Sequence, residues 1–113
     1  LFLFNTKQYQ CPFDCFIDIL KGKWRTNILL SLSEGPKHFA MLQKQLDGIS
    51  AKVLSENLQL LEENKILSRK VYPTVPPTVE YSLTEEGMAL IGIMDKINIW
   101  TNLYLKNEDI IKI

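Results

Sequence analysis

Two cysteines, one histidine and a row of polar side chains between residues 50 and 63 are the groups whose types and spacing could do chemistry. Cys11 precedes Pro12, and proline suits the first position of a helix, so the thiol is expected at a helix N-terminus. Backbone N–H groups there stabilise a thiolate, the form that reacts with oxidants and electrophiles. Cys15 sits one turn further on and leans back toward Cys11. A disulfide within one regular helix would be strained, so oxidation is expected to join cysteines of two copies of the chain. The competing reading is a pair of helix residues with no signalling role. The two are not spaced as a CxxC pair, and His38, the sole histidine, completes no metal set. No metal or cofactor is expected. No histidine-paired nucleophile, P-loop or glycine-rich dinucleotide fingerprint points to an enzyme.

The polar row has a different chemistry. If residues 50–64 form a helix with Leu54, Leu58 and Leu61 inward, then Lys52, Ser55, Glu56, Gln59 and Glu63 point outward at 100° steps. Lysine contacts phosphate or guanine, glutamine bonds adenine in bidentate fashion, and glutamate accepts from cytosine. Ser50 and Ser55 can bond phosphate or bases. A polar outer face is also what any solvated surface helix shows. Further along, Arg69, Lys70 and Tyr72 lie beside a proline-rich stretch, suited to backbone or minor-groove contact. They also fit an edge strand that lysines guard against aggregation.

These groups need elements to position them. At 113 residues, with 46% hydrophobic and 23% charged residues, the chain fits one folded domain spanning 1–113. Pro12 opens a helical pattern in which Phe13, Phe16, Ile17 and Leu20 share a face, within an N-terminal helical region assigned to 8–22. Trp24, Ile28, Leu29 and Leu32 mark a second helix, which stops at Ser33-Glu34-Gly35-Pro36. Phe39, Leu42 and Leu46 mark a short third helix ending at Asp47-Gly48. Ser50 then caps the fourth, and Ile49 can staple onto Leu54. The pair over 38–64, joined by a tight Asp-Gly turn, has the order of a helix-turn-helix. Its second helix would enter the major groove of duplex DNA.

After residue 65 the period changes. Val79, Tyr81 and Leu83 alternate with polar residues, Ile66 to Tyr72 is β-rich, and Pro73 to Thr78 cannot be helical. A projecting hairpin over 66–83 is expected. Thr84 then caps a last helix over 84–106, about 33 Å long. The predicted class is mainly α with a small β-hairpin wing.

That last helix is too apolar for so small a domain to cover. Ile91, Met94, Ile97, Trp100 and Tyr104, with Phe13 and Phe16 of the first helix, are the expected contact surface of a homodimer. Aromatic residues such as Phe13, Trp24 and Trp100 could also line a small-molecule pocket there, although aromatic residues at such positions are more often plain core. No effector is identified by the sequence.

The formal net charge is zero, yet residues 20–72 hold nine Lys or Arg against five acids. A basic middle between acidic ends is a footprint for a polyanion, or simply a solvated surface. No apolar run approaches the roughly 20 residues of a membrane span. Leu1-Phe2-Leu3-Phe4 is too short for a signal peptide core. The expectation is a cytosolic protein with no membrane partner, preceded by a few residues that include its initiator.

The ordered set of motifs resembles the HxlR-type branch of the MarR-like winged helix regulators. It runs through Cys11-Pro12, Gly22-Lys23-Trp24, Gly35-Pro36-Lys37-His38-Phe39 and Gly48-Ile49-Ser50-Ala51-Lys52-Val53-Leu54-Ser55. Leu58 to Glu63 and Val71-Tyr72-Pro73 continue it to Val75-Pro76-Pro77-Thr78-Val79-Glu80-Tyr81-Ser82-Leu83-Thr84. The resemblance implies a homodimer on pseudo-palindromic double-stranded operator DNA. It makes the hairpin the wing, and the N- and C-terminal helices the dimer contact. It also matches Cys11 to a cysteine that some members use to sense oxidants. One departure stands out: the family often has a basic residue in the stretch that reads Leu54-Ser55-Glu56-Asn57-Leu58 here. Fewer cations there mean fewer released counterions. The alternative is a winged helix that binds protein or ligand, with weak or no DNA binding.

Overall fold

The computed structural model describes residues 1–4 and 6–105. Its helices are α1 (Pro12–Leu20), α2 (Arg25–Leu32), α3 (Phe39–Gln45), α4 (Ala51–Glu63) and α5 (Glu85–Tyr104). The strands are β1 (Phe2–Phe4), β2 (Lys7–Tyr9), β3 (Lys37–His38), β4 (Leu67–Tyr72) and β5 (Thr78–Leu83). The arrangement is a winged helix-turn-helix. β4 and β5 form an antiparallel ribbon with Leu67 opposite Leu83 and Tyr72 opposite Thr78. β3 adds to the other side of β5, pairing Lys37 with Tyr81, so the sheet order is β3-β5-β4.

One core holds these elements. Ile28, Leu29 and Leu32 of α2, Leu42 of α3, and Leu54, Leu58 and Leu61 of α4 are buried together with Leu67, Tyr81 and Leu90. In α2 and α4 these residues lie three or four apart, the stripe that a 3.6-residue period brings to one side. The helix-turn-helix turn needs Gly48, whose φ of +88° is left-handed and costs a glycine little. α4 ends with Lys65 at φ +62°. The Ile66 N–H donates to the Leu61 carbonyl and the Lys65 N–H to that of Glu62, a Schellman closure that starts β4.

The junction of wing and last helix is unusually close. Thr84 caps α5 by accepting from the Gly87 N–H at 3.1 Å, while its hydroxyl donates toward the Lys65 and Ile66 carbonyls. Gly87 is buried, and a Cβ there would collide with the Ile66 carbonyl oxygen. Only the absence of a side chain lets α5 approach β4 at this point.

Three differences from the sequence expectation have local causes. The helical region assigned to 8–22 begins only at Pro12, because residues 7–9 pair with residues 2–4 in an antiparallel hairpin. The helix expected to end at Asp47 closes at Gln45, with Leu46 as its C-cap. α5 runs to Tyr104, and position 106 of the expected helix lies outside the described residues.

Candidate nucleic-acid interface

α4 is built to present one polar face. Ser50 precedes the helix in extended conformation, and its Oγ accepts from the Val53 N–H at 3.1 Å, satisfying one orphan donor of the first turn. Ile49 and Leu54 both enter the core, as a hydrophobic staple requires. With Leu54, Leu58 and Leu61 fully buried, Ser50, Lys52, Ser55, Glu56, Gln59 and Glu63 are all exposed. Two contacts run along this face: Lys52 Nζ is 4.0 Å from Glu56, and Gln59 Nε2 donates to Glu63 at 3.2 Å. Exposed pairs one turn apart contribute only about 0.3–0.5 kcal/mol, so both side chains can exchange these partners for others at little cost.

Asn57 does not belong to that face. Its side chain is half-buried, accepts from Arg25 Nε at 3.2 Å and donates to the Val53 carbonyl at 2.8 Å. Asn57, in the stretch where the family often has a basic residue, is therefore an internal hydrogen-bond partner. Its amide can both accept and donate, which a lysine or arginine cannot.

The ribbon separates two cations that adjoin in sequence. Successive side chains of a strand point to opposite faces. Arg69 lies opposite Tyr81 and shares the face that carries Leu67 and Tyr81, whereas Lys70 lies opposite Glu80 on the other. Lys70 Nζ stands 4.8 Å from the centroid of the Tyr72 ring, and the Tyr72 hydroxyl donates to Glu80 at 3.2 Å. His38 meets the same ring edge-on at 6.2 Å. Arg69 and Lys70 are both exposed, but they do not form one basic patch. Beyond them the tip projects to a fully exposed Val75.

Cys11 is exposed and forms the N-cap of α1 without a side-chain cap bond; Cys15 is buried. Lys7, close to Cys11 in sequence, is committed elsewhere. Its Nζ pairs with Asp18 at 2.6 Å, and Lys21 and the Tyr9 hydroxyl reach the same carboxylate at 2.7 Å each. Hydrogen bonds from Lys21, Lys7 and Tyr9 hold the Asp18 carboxyl far below the usual carboxylate range. The bond to Asp18, with some desolvation, pushes the Tyr9 phenol up to about 12. This cluster fastens the β1-β2 hairpin to α1, and no sequence pattern marked it.

The residues expected at a dimer contact divide in two. Phe16, Ile91 and Met94 pack against the core and are half-buried. Phe13, Ile97, Trp100 and Tyr104 are exposed, Trp100 by 62%, with its ring stacked on Tyr104 at 5.1 Å. Between α1, α2 and α5 lies an open groove of about 380 Å³, walled by Phe16, Leu20, Leu30, Met94, Ile97 and Thr101 among others. Phe13, Trp24 and Trp100 are not among its walls. Among the described residues no group of His, Cys, Asp or Glu is gathered to hold a metal ion, and no helix is long and apolar enough to cross a membrane.

Comparison with known proteins agrees with this geometry. Over 102 residues the chain is 36% identical to the HTH-type transcriptional regulator YkvN of Bacillus subtilis, covering 90% of this chain and 86% of YkvN. The reduced form of the transcriptional regulator YodB from B. subtilis superimposes with a TM-score of 0.77 at 33% identity, over 87% of this chain and 97% of YodB. The redox regulator HypR in its reduced form does so with a TM-score of 0.75 at 34% identity, over 81% of this chain and 91% of HypR. YkvN and YodB are transcriptional regulators, a non-enzymatic class. Residues 19–109 match a single family description, and the chain belongs to the HxlR-like helix-turn-helix family.

Proposed function

We propose that this protein is a dimeric, sequence-specific transcriptional regulator that binds double-stranded operator DNA in the cytoplasm. The carrying observation is α4, a capped helix whose stripe of Leu54, Leu58 and Leu61 is wholly buried and whose other side offers Ser50, Lys52, Ser55, Glu56 and Gln59 to a groove. The helix enters the major groove, where Gln59 and Glu56 read base edges and Lys52 meets phosphate or guanine. On the wing, Lys70 and Arg69 contact the flanking backbone from opposite faces of the ribbon. The exposed apolar side of α5, with Phe13 of α1, supports the dimer: Ile97, Trp100 and Tyr104 pack against the second subunit. Cys11 serves as the oxidant-responsive thiol. That role rests on its exposure and on the redox character of HypR.

Fluorescence anisotropy with labelled duplexes at stepped salt concentrations tests the central reading. Affinity is expected to fall steeply as salt rises, and Lys52→Ala, which removes one lysine from each subunit, to reduce the slope of log K against log salt by about 1.8. Binding indifferent to salt favours the second reading, a winged helix for protein contact. The Lys52–Glu56 and Gln59–Glu63 pairs along the outer face are what would favour that reading. For the thiol, a shift to dimer mobility on a non-reducing gel after diamide is expected, and its absence removes the role.

A further inference from the structure

Arg25 touches three parts of the molecule at once. It is the first residue of α2, and its Nη1 donates to the Asp18 and Ile19 carbonyls at 2.9 and 3.2 Å. Those carbonyls belong to the last turn of α1, where no intrahelical N–H reaches them. The positive guanidinium also suits the negative end of the α1 dipole. From the same group, Nε donates to Asn57 in the middle of α4, and Asn57 in turn holds the Val53 carbonyl one turn back toward the reading residues. The planar fork fixes these directions relative to one another, which a lysine ammonium does not do.

We infer that Arg25, acting through Asn57, is the positioning residue that sets the angle of α4 against α1 and thereby the operator spacing the dimer accepts. This rests on the proposed function: α4 reads the groove and α1 lies at the subunit contact. In a dimer, the separation and tilt of two reading helices decide which half-site spacing fits. Adding one base pair between half-sites rotates one of them by roughly 35° about the duplex axis. A helix held by the core and, at the flank of its buried stripe, by an oriented guanidinium rejects such a rotation. Without the guanidinium, α4 keeps its buried stripe but loses its fixed tilt.

The test uses duplexes that the wild-type protein selects from a random-sequence pool, then the same duplexes with one base pair added or removed between half-sites. Arg25→Leu is expected to bind the selected duplex about tenfold more weakly, and its preference for the original spacing to collapse toward unity. Its salt slope should match the wild type. Asn57→Leu should behave alike, and it carries the test if Arg25→Leu does not fold. Asn57→Asp, which keeps the oxygen that accepts from Arg25, should retain the spacing preference. The inference is overturned if the leucine variants discriminate spacing as the wild type does. A slope lower by about two overturns it too, because Arg25 of each subunit would then be a phosphate contact. If the wild type selects no sequence, the DNA-binding reading fails separately. Amide exchange then decides whether Arg25 fixes α4: faster exchange at residues 53–57 in Arg25→Leu supports this, and unchanged protection refutes it.

Discussion

α4 and α5 are made of similar apolar residues and meet opposite fates. In α4, Leu54, Leu58 and Leu61 are 0% exposed, and every outward position is polar or small. In α5, seven residues longer, only Gly87 and Leu90 are buried, while Met88, Ile93, Ile97, Ile99, Trp100, Leu103 and Tyr104 face outward. A helix of the first kind finds its complement within its own chain. One of the second kind does not among the described residues, and large contiguous exposed apolar patches mark interaction sites. The two helices divide the labour: the first is held rigidly to expose polar atoms, the second to expose apolar ones.

Substitutions can break or sharpen this contrast. The largest effect is expected from Leu58→Ala, which removes a fully buried side chain from α4. Urea denaturation should show a loss of about 2–5 kcal/mol, with the oligomeric state of the remaining folded protein unchanged. Trp100→Glu should do the reverse. Sedimentation at stepped concentrations should show at least a roughly thirtyfold weaker dimer, with helix content retained by circular dichroism. If that variant stays dimeric at micromolar concentrations, the α5 face is not the contact. Gly87→Ala lies at the junction of α5 with the wing, where the added methyl meets the Ile66 carbonyl. Denaturation should reveal about 1–3 kcal/mol of destabilisation. Smallest is Ser50→Ala, which deletes the cap bond to Val53. About 1 kcal/mol of stability should be lost in the same measurement, with the dimer intact.

How much of this was legible in the sequence follows from where each feature's cause lies. α4 was legible because its cap, staple and leucine stripe sit within a dozen residues of one another. The outward set from Ser50 to Gln59 follows from that geometry alone. The wing was legible too, since Pro73, Pro76 and Pro77 exclude helix and the flanking residues alternate. The role of Asn57 is not legible, because its partner Arg25 lies 32 residues away. Arg69 and Lys70 were grouped by adjacency although a two-residue period separates them. The β1-β2 hairpin was invisible for another reason. Leu1 to Phe4 has no alternation, and its anchor, Asp18, lies on a helix nine residues beyond Tyr9. β3, two residues long, exists only because β5 lies beside it.

The missing side chain at Gly87 has a mechanical consequence. Backbone lies against backbone there, and the Thr84 hydroxyl bridges the same two carbonyls, so nothing compressible separates α5 from the start of β4. Packed interiors have low compressibility and transmit strain, and two peptide units in direct contact have no rotamer with which to yield. A tilt imposed near the N-terminal end of α5 is therefore handed to the wing as a rigid displacement. The link from α1 to α4 is of another kind: a single guanidinium bonds both the last turn of α1 and Asn57 of α4.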